Sequence, residues 1–244
     1  MSGQTEVHSV LALEGWLEFN RYKWGVTPLK LRFTEDNKEL PRIEAVLYLD
    51  RNGHIVQPPL NPYLAVTFYP TPTNSRSRVY FQWLSVSKLL VNEFLRRGVK
   101  SGIALSPNLT DMRQWQWHGF IAEVRYTFYV ELPLDFRLAG ESKRNKVRKA
   151  QKANFCCEIA SRRDLPQVVE CLTETAKRKQ FNCPLTTRDY EMALELLGEE
   201  NLRIYVCRDS RGEIVSANLI LRSPGARPIG WLAGTKSAFL GSGA

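Results

Sequence analysis

Apolar positions along this 244-residue chain fall into two kinds of run. Near the N-terminus they suit strands: LKLRF (Leu29–Phe33), IEAVLYL (Ile43–Leu49) closed by the turn DRNG, and HIVQP (His54–Pro58) leading into a proline-rich loop. A helix is expected over FQWLSVSKLLVNEFLRRG, because Leu84, Leu90, Val91, Phe94 and Leu95 lie close to helical spacing. Arg96 and Arg97 suit the negative end of that helix, and Gly98 stands where a helix-ending glycine belongs. SGIALS (Ser101–Ser106) reads as the next strand, DMRQWQWHGF as an aromatic loop, and EVRYTFYVEL (Glu123–Leu132) as a long β-rich run of Tyr, Phe and Val.

A similar succession begins again after residue 153. FCCEIA (Phe155–Ala160) is a short strand; Asp164 caps a helix with Pro166 in its first turn and Val168, Val169, Leu172 and Ala176 as its apolar stripe. LTTRDYEMALELLG is a second helix, opened by the box of Thr186 and Asp189 and closed by Gly198. LRIYVCR, the turn DSRG and EIVSANLILR then make a hairpin, and IGWLAGT (Ile229–Thr235) follows as a third strand. The order strand, helix, helix, strand, strand, strand implies an α+β unit with a mostly antiparallel sheet. The expected domains are 1–140, a basic interdomain helix at 141–153, and 154–244. Three strands with nothing after KSAFLGSGA leave an edge and a face uncovered, so the chain reads as a truncated gene product or a fragment.

The formal charge of +9 points to anionic partners, but it is concentrated. The segment ESKRNKVRKAQK, Glu141 to Lys152, holds six of the 34 basic residues and a single acidic one. Phased as a helix, it puts Arg144, Val147, Arg148 and Gln151 on one face. Two arginines at i, i+4 repel by a few tenths of a kcal/mol unless an anion lies between them. A solvated linker helix and a nucleic-acid helix remain the competing readings. The N-terminus MSGQTEVHSVLALEGW lacks the parts of a signal peptide, and no segment suits a membrane span, so a cytoplasmic protein is expected. Five cysteines without framework spacing read as reduced, mostly structural thiols rather than a zinc site.

Common catalytic signatures are missing: Walker A, a dinucleotide fingerprint, HExxH, CxxC and G-x-S-x-G do not occur, and His8, His54 and His118 stand singly. In FLGSGA, Gly241 and Gly243 are either a flexible tail or a turn that lets backbone N–H groups approach a phosphate. In WQWHGF, Trp115 and Trp117 read as a buried corner, with an aromatic wall near Arg113 as the alternative.

DMRQWQWHGFIAEVRYTFYVEL, followed by SKRNKVRKAQKANF, GEIVSANLIL and GWLAGTKSAFLGSGA, resembles the Fem-type branch of the GNAT-like acyltransferases. The resemblance runs from about Trp16 to the end and rests on the order of the blocks. It implies two GNAT-like domains in tandem, the second incomplete, and transfer of an acetyl or aminoacyl group to an amine in cell-wall or polysaccharide precursor chemistry. The donor would be acyl-CoA or aminoacyl-tRNA, with no bound cofactor or metal, and the acceptor a nucleotide- or lipid-linked muramyl peptide. Trp231, Leu232, Ala233 and Gly234 would form the splayed strand that aligns the donor; Gly241, Ser242, Gly243 and Ala244 would begin its phosphate-binding turn. Arg144 and Arg148 would meet the acceptor diphosphate. Direct attack by the amine needs a base, for which Glu213 and Tyr205 are candidates by position. Family members continue past this point with the donor-binding helix, which leaves an inactive truncated remnant as one alternative reading; a non-catalytic nucleic-acid-binding module using the basic helix is the other.

Overall fold

The computed structural model describes residues 9–34 and 41–243; His8 lies outside them. The chain divides into two compact units, Met1–Phe19 with Tyr129–Ala244, and Asn20–Phe128. Both are built on four-stranded antiparallel sheets with helices, which makes the chain α+β as expected.

The segment Glu14–Trp24 forms α1, a helix the strand-and-turn reading of the N-terminus passed over. In the unit spanning 20–128, β1 (Thr27–Thr34) pairs along all of β2 (Arg42–Leu49), and the other edge of β2 is shared by β3 (Ile55–Val56) and β4 (Val66–Tyr69). Pro28 is accommodated because β1 is an outer strand. Helix α2 (Arg76–Arg97) starts five residues before the expected span, where the Ser75 hydroxyl accepts from Arg78 N–H, and ends at Gly98 with φ +73°. Its buried face is Trp83, Val86, Leu90, Val91 and Phe94; Leu95 falls outside that phase and is exposed. The aromatic loop contains a short helix, α3 (Arg113–Trp117), whose Trp115 stacks on Trp83 at 6.0 Å. The expectation of two buried indoles holds for Trp115 alone, since Trp117 is 63% exposed beneath the Arg113 guanidinium.

Two expected strands are absent. Ser101–Ser106 contributes only an isolated bridge, Leu64 to Leu105. Glu123–Leu132 forms no strand, and Tyr126 and Phe128 are more than 90% exposed. A strand is completed by the partner that takes its backbone hydrogen bonds. No described segment lies in register beside this one, so β propensity alone does not make it a strand.

The other unit follows the expected order closely. Helix α4 (Glu141–Lys152) is the basic segment, and β5 (Cys156–Ile159), α5 (Leu165–Lys179), α6 (Thr187–Leu197), β6 (Leu202–Arg208), β7 (Ile214–Leu221) and β8 (Ile229–Thr235) succeed it. The sheet runs β5-β6-β7-β8. Asp164 precedes α5 but makes no cap bond to it; its carboxylate takes the Ser161 N–H and hydroxyl and the Arg208 guanidinium instead. Thr186 and Asp189 do form the expected capping box. One face of the sheet is covered: α5 lies on β7 and β8, and α6 reaches β6. Its core is Val168, Leu172, Tyr190, Leu194, Ile204, Val206, Leu219 and Trp231. Among the described residues no helix is long and apolar enough to cross a membrane.

Trp231 is packed by rings on three sides, with Trp16 at 5.2 Å, Phe19 at 5.8 Å and Tyr190 at 6.2 Å. Trp231→Ala is therefore expected to lower the unfolding free energy by about 3–5 kcal/mol, and Trp117→Ala by less than about 1 kcal/mol. Urea denaturation followed by circular dichroism checks the contrast, and equal losses would contradict this packing.

Candidate functional site

Strand β8 is an edge. Among the described residues it pairs with β7 alone, and the hydrogen bonds beyond its C-terminal end show which way each backbone group points. Lys236 N–H donates to the Val215 carbonyl at 2.9 Å, toward β7. The Thr235 N–H donates to Thr175 Oγ1 at 2.9 Å and its carbonyl accepts from the same hydroxyl at 3.2 Å, away from β7. Backbone groups alternate sides along a strand, so the N–H and C=O of Ala233 face the same free edge as those of Thr235. Ala233 is exposed there.

The four residues expected to align a donor thus divide. Trp231 is a core residue, inserted where the β7–β8 register shifts, and its indole is withdrawn from the surface. Leu232 lies opposite Leu219 and is half-buried. Gly234 is pressed against α5: a β-carbon there would stand 2.4 Å from the Cys171 carbonyl oxygen. The free backbone of Ala233 is the part of this strand that can meet a ligand.

The chain leaves β8 through a short turn of 3-10 helix at Ser237–Phe239 and reaches Gly241–Gly243, which folds onto α4. Phe239 packs on Phe155 at 6.2 Å, and the Lys149 ammonium donates to the Gly241 carbonyl. Ser242 Oγ donates to the Phe239 carbonyl at 2.6 Å. Gly243 has φ +96°, and a β-carbon there would stand 2.2 Å from the Lys146 carbonyl oxygen, so both its backbone conformation and its surroundings require glycine. Ala244 lies outside the described residues.

The structure therefore joins the glycine turn to the basic helix, but through an unexpected face. Ser142, Asn145, Lys146 and Lys149, with Glu141, line an open concavity of about 500 Å³. Arg144, Val147, Arg148 and Gln151 do not line it, although at 3.6 residues per turn Arg148 stands only about 20° around the helix from Glu141. Arg144 instead donates to the Arg137 carbonyl at 2.8 Å, and Arg148 to Asn145 Oδ1 at 3.3 Å. Lys146 and Lys149 carry the same i, i+3 signal as any neighbouring pair in this run. Only the packing of the turn singles out their side.

The two base candidates also differ. Glu213 is ion-paired: the Lys236 ammonium lies 2.8 Å from it and 2.6 Å from Glu170, and Arg211 reaches it at 3.5 Å. Burial works against the charge on Lys236, yet the Glu170 and Glu213 carboxylates outweigh it and hold the ammonium above its usual range. Tyr205 stands on the open face of the sheet, opposite Ile159 on one side and Asn218 on the other, and Asn218 is opposite Ala233. Tyr205, Asn218 and Ala233 thus form one row across the exposed face, ending at the free edge. Asn218 is a polar member of this row that sequence pattern alone did not single out.

No family model matches the chain, and no curated protein sequence does. Among solved structures it is similar to FemX, with a TM-score of 0.55 and 12% identity, over 97% of this chain and 77% of that one. The fold is FemX-like. A weaker likeness is to L-PGS from Bacillus licheniformis, with a TM-score of 0.44 and 16% identity over 96% of this chain and 69% of the other.

Two substitutions test this placement. Gly234→Ala is expected to cost about 1–3 kcal/mol by forcing α5 off the sheet, so its thermal midpoint should fall with no ligand present. Lys236→Met should cost about 1–3 kcal/mol, scaled down because both carboxylates are partly solvated. A lysine whose pKa is raised in the folded state gives stability that is fully present below its unfolded pKa, near about 10.4. The Lys236→Met deficit should therefore be the same at pH 7 and pH 9 and shrink only in stronger alkali, which urea titrations at each pH will show.

Proposed function

We propose that this chain transfers an acyl group, acetyl or aminoacyl, directly to an amine acceptor in cytoplasmic cell-envelope or polysaccharide precursor metabolism. The observation that carries the proposal is the free edge of β8 leading straight into a glycine turn seated on the basic helix. The FemX-like fold supports it.

In this reading the backbone at Ala233, between Trp231 and Gly234, lines up the donor as an added strand would, through N–H and C=O groups that the sheet leaves open. The turn Gly241–Gly243 with Ala244, flanked by Lys146 and Lys149, meets the phosphates of an acyl-CoA or aminoacyl-tRNA. Arg144 and Arg148, which do not line the concavity, are left for an acceptor diphosphate, such as that of a nucleotide- or lipid-linked muramyl peptide. Holding the amine against the donor carbonyl removes most of the entropic barrier, and an N–H aimed at the developing oxyanion lowers it further. The amine nitrogen forms the new bond to the carbonyl carbon, the bond to sulfur or to the tRNA oxygen breaks, and the amine proton leaves through Tyr205 or a water beside it. Asn218 orients that water.

The test measures transfer from acetyl-CoA and from charged tRNA to an amine acceptor, with uncharged tRNA as the control. Lys146→Glu with Lys149→Glu should weaken donor binding about tenfold or more at low salt and less at high salt. Arg144→Glu with Arg148→Glu should weaken acceptor binding and leave donor binding intact. Failure of every donor to bind or turn over would refute the proposal. Affinity for uncharged nucleic acid that falls steeply with salt would identify a nucleic-acid module instead.

A further inference from the structure

The edge strand β5 places two thiols face to face. Cys157 lies directly opposite Cys207 in the β5–β6 ladder. The Ala160 N–H donates to the Ile204 carbonyl at 2.9 Å, which marks the 160–204 pair as a hydrogen-bonded one. Alternation along the ladder then makes 158–206 hydrogen-bonded and 157–207 non-hydrogen-bonded. At non-hydrogen-bonded positions the α-carbons stand about 4.5 Å apart with side chains on the same face, within the window of about 4.4–6.8 Å that a disulfide spans. Both thiols are free. Cys157 is exposed and Cys207 is buried beneath it, while the neighbouring Cys156 points to the other face of β5.

We propose that Cys157 and Cys207 form a reversible dithiol–disulfide site that exchanges with small-molecule disulfides of the glutathione class. Cys157 reacts first because it is reachable. Its thiolate attacks one sulfur of the oxidised disulfide, forming a mixed disulfide and releasing one thiolate, which takes up a proton. The Cys207 thiolate then attacks the Cys157 sulfur and releases the second thiol. Two protein thiols are oxidised, one small disulfide is reduced to two thiols, and no other reactant is needed. Burial, and then the neighbouring Cys157, push the Cys207 thiol up to about 12, so Cys207 does not make the first attack; its place opposite Cys157 in the ladder is what brings it to the second, intramolecular step. Cys171, buried and likewise pushed up to about 11, stays outside the exchange. The linkage closes a long loop through α5 and α6 and pins β5, the strand that follows the basic helix, to the sheet.

The experiment incubates the reduced chain with oxidised glutathione and counts free thiols by intact mass and peptide mapping. The expected result is loss of two of the five thiols, a Cys157–Cys207 linked peptide, full reversal by dithiothreitol, and a thermal midpoint several degrees higher in the oxidised form. Cys207→Ser should stop at a glutathione adduct on Cys157. Cys157→Ser, at an exposed position, should abolish the intramolecular disulfide while the circular dichroism spectrum stays unchanged, and Cys156→Ser should form it as the parent does. A linkage through Cys156, an intermolecular disulfide as the main product, or five thiols remaining free would each overturn the proposal.

Discussion

A β-carbon at position 234 would stand 2.4 Å from the carbonyl oxygen of Cys171, so α5 meets β8 backbone to backbone. Much in the C-terminal unit follows from that contact. It sets the distance between helix and sheet at which Thr175 can both accept from and donate to Thr235, capping the end of the free edge. The bonds to Thr235 turn its groups outward, and alternation does the same for Ala233. A second close approach, Gly243 against the Lys146 carbonyl, fixes where the turn after β8 comes to rest. Packing density at two glycines thus positions the candidate site without any ligand.

Charge plays two separate roles in the same region. Lys236 is buried between Glu170 and Glu213 and holds the two carboxylates in one ion-paired cluster that serves the fold. Lys146 and Lys149 remain at an open concavity, where they can meet an anion. These lysines differ in what surrounds them, and surroundings are a tertiary property. The same distinction separates Trp231, drawn into an aromatic core by Trp16, Phe19 and Tyr190, from the solvent-facing Trp117.

Local signals were reliable wherever neighbours in sequence supply the physics. The box of Thr186 and Asp189, the stop at Gly198, the DSRG turn and the three strands around it were all legible, because caps and hairpins close over a few residues. Leu95 is exposed although its spacing is near-helical, because that spacing fits more than one phase and Trp83 and Val86 decide which one is buried. The run Glu123–Leu132 departs from its β propensity for a different reason: no described strand lies beside it to take its backbone hydrogen bonds.

The sequence by itself determined the α+β class, the order of elements after residue 141 and the helical nature of the basic segment. Each depends on periodicity, capping or composition within a short window. Tertiary structure alone decided that the turn lies on that helix, that Lys146 and Lys149 line the concavity while Arg144 and Arg148 do not, that Gly234 serves packing, and that Cys157 meets Cys207. Those facts depend on strand register and on how closely a helix can approach a sheet, and both are set by contacts between residues far apart in the chain.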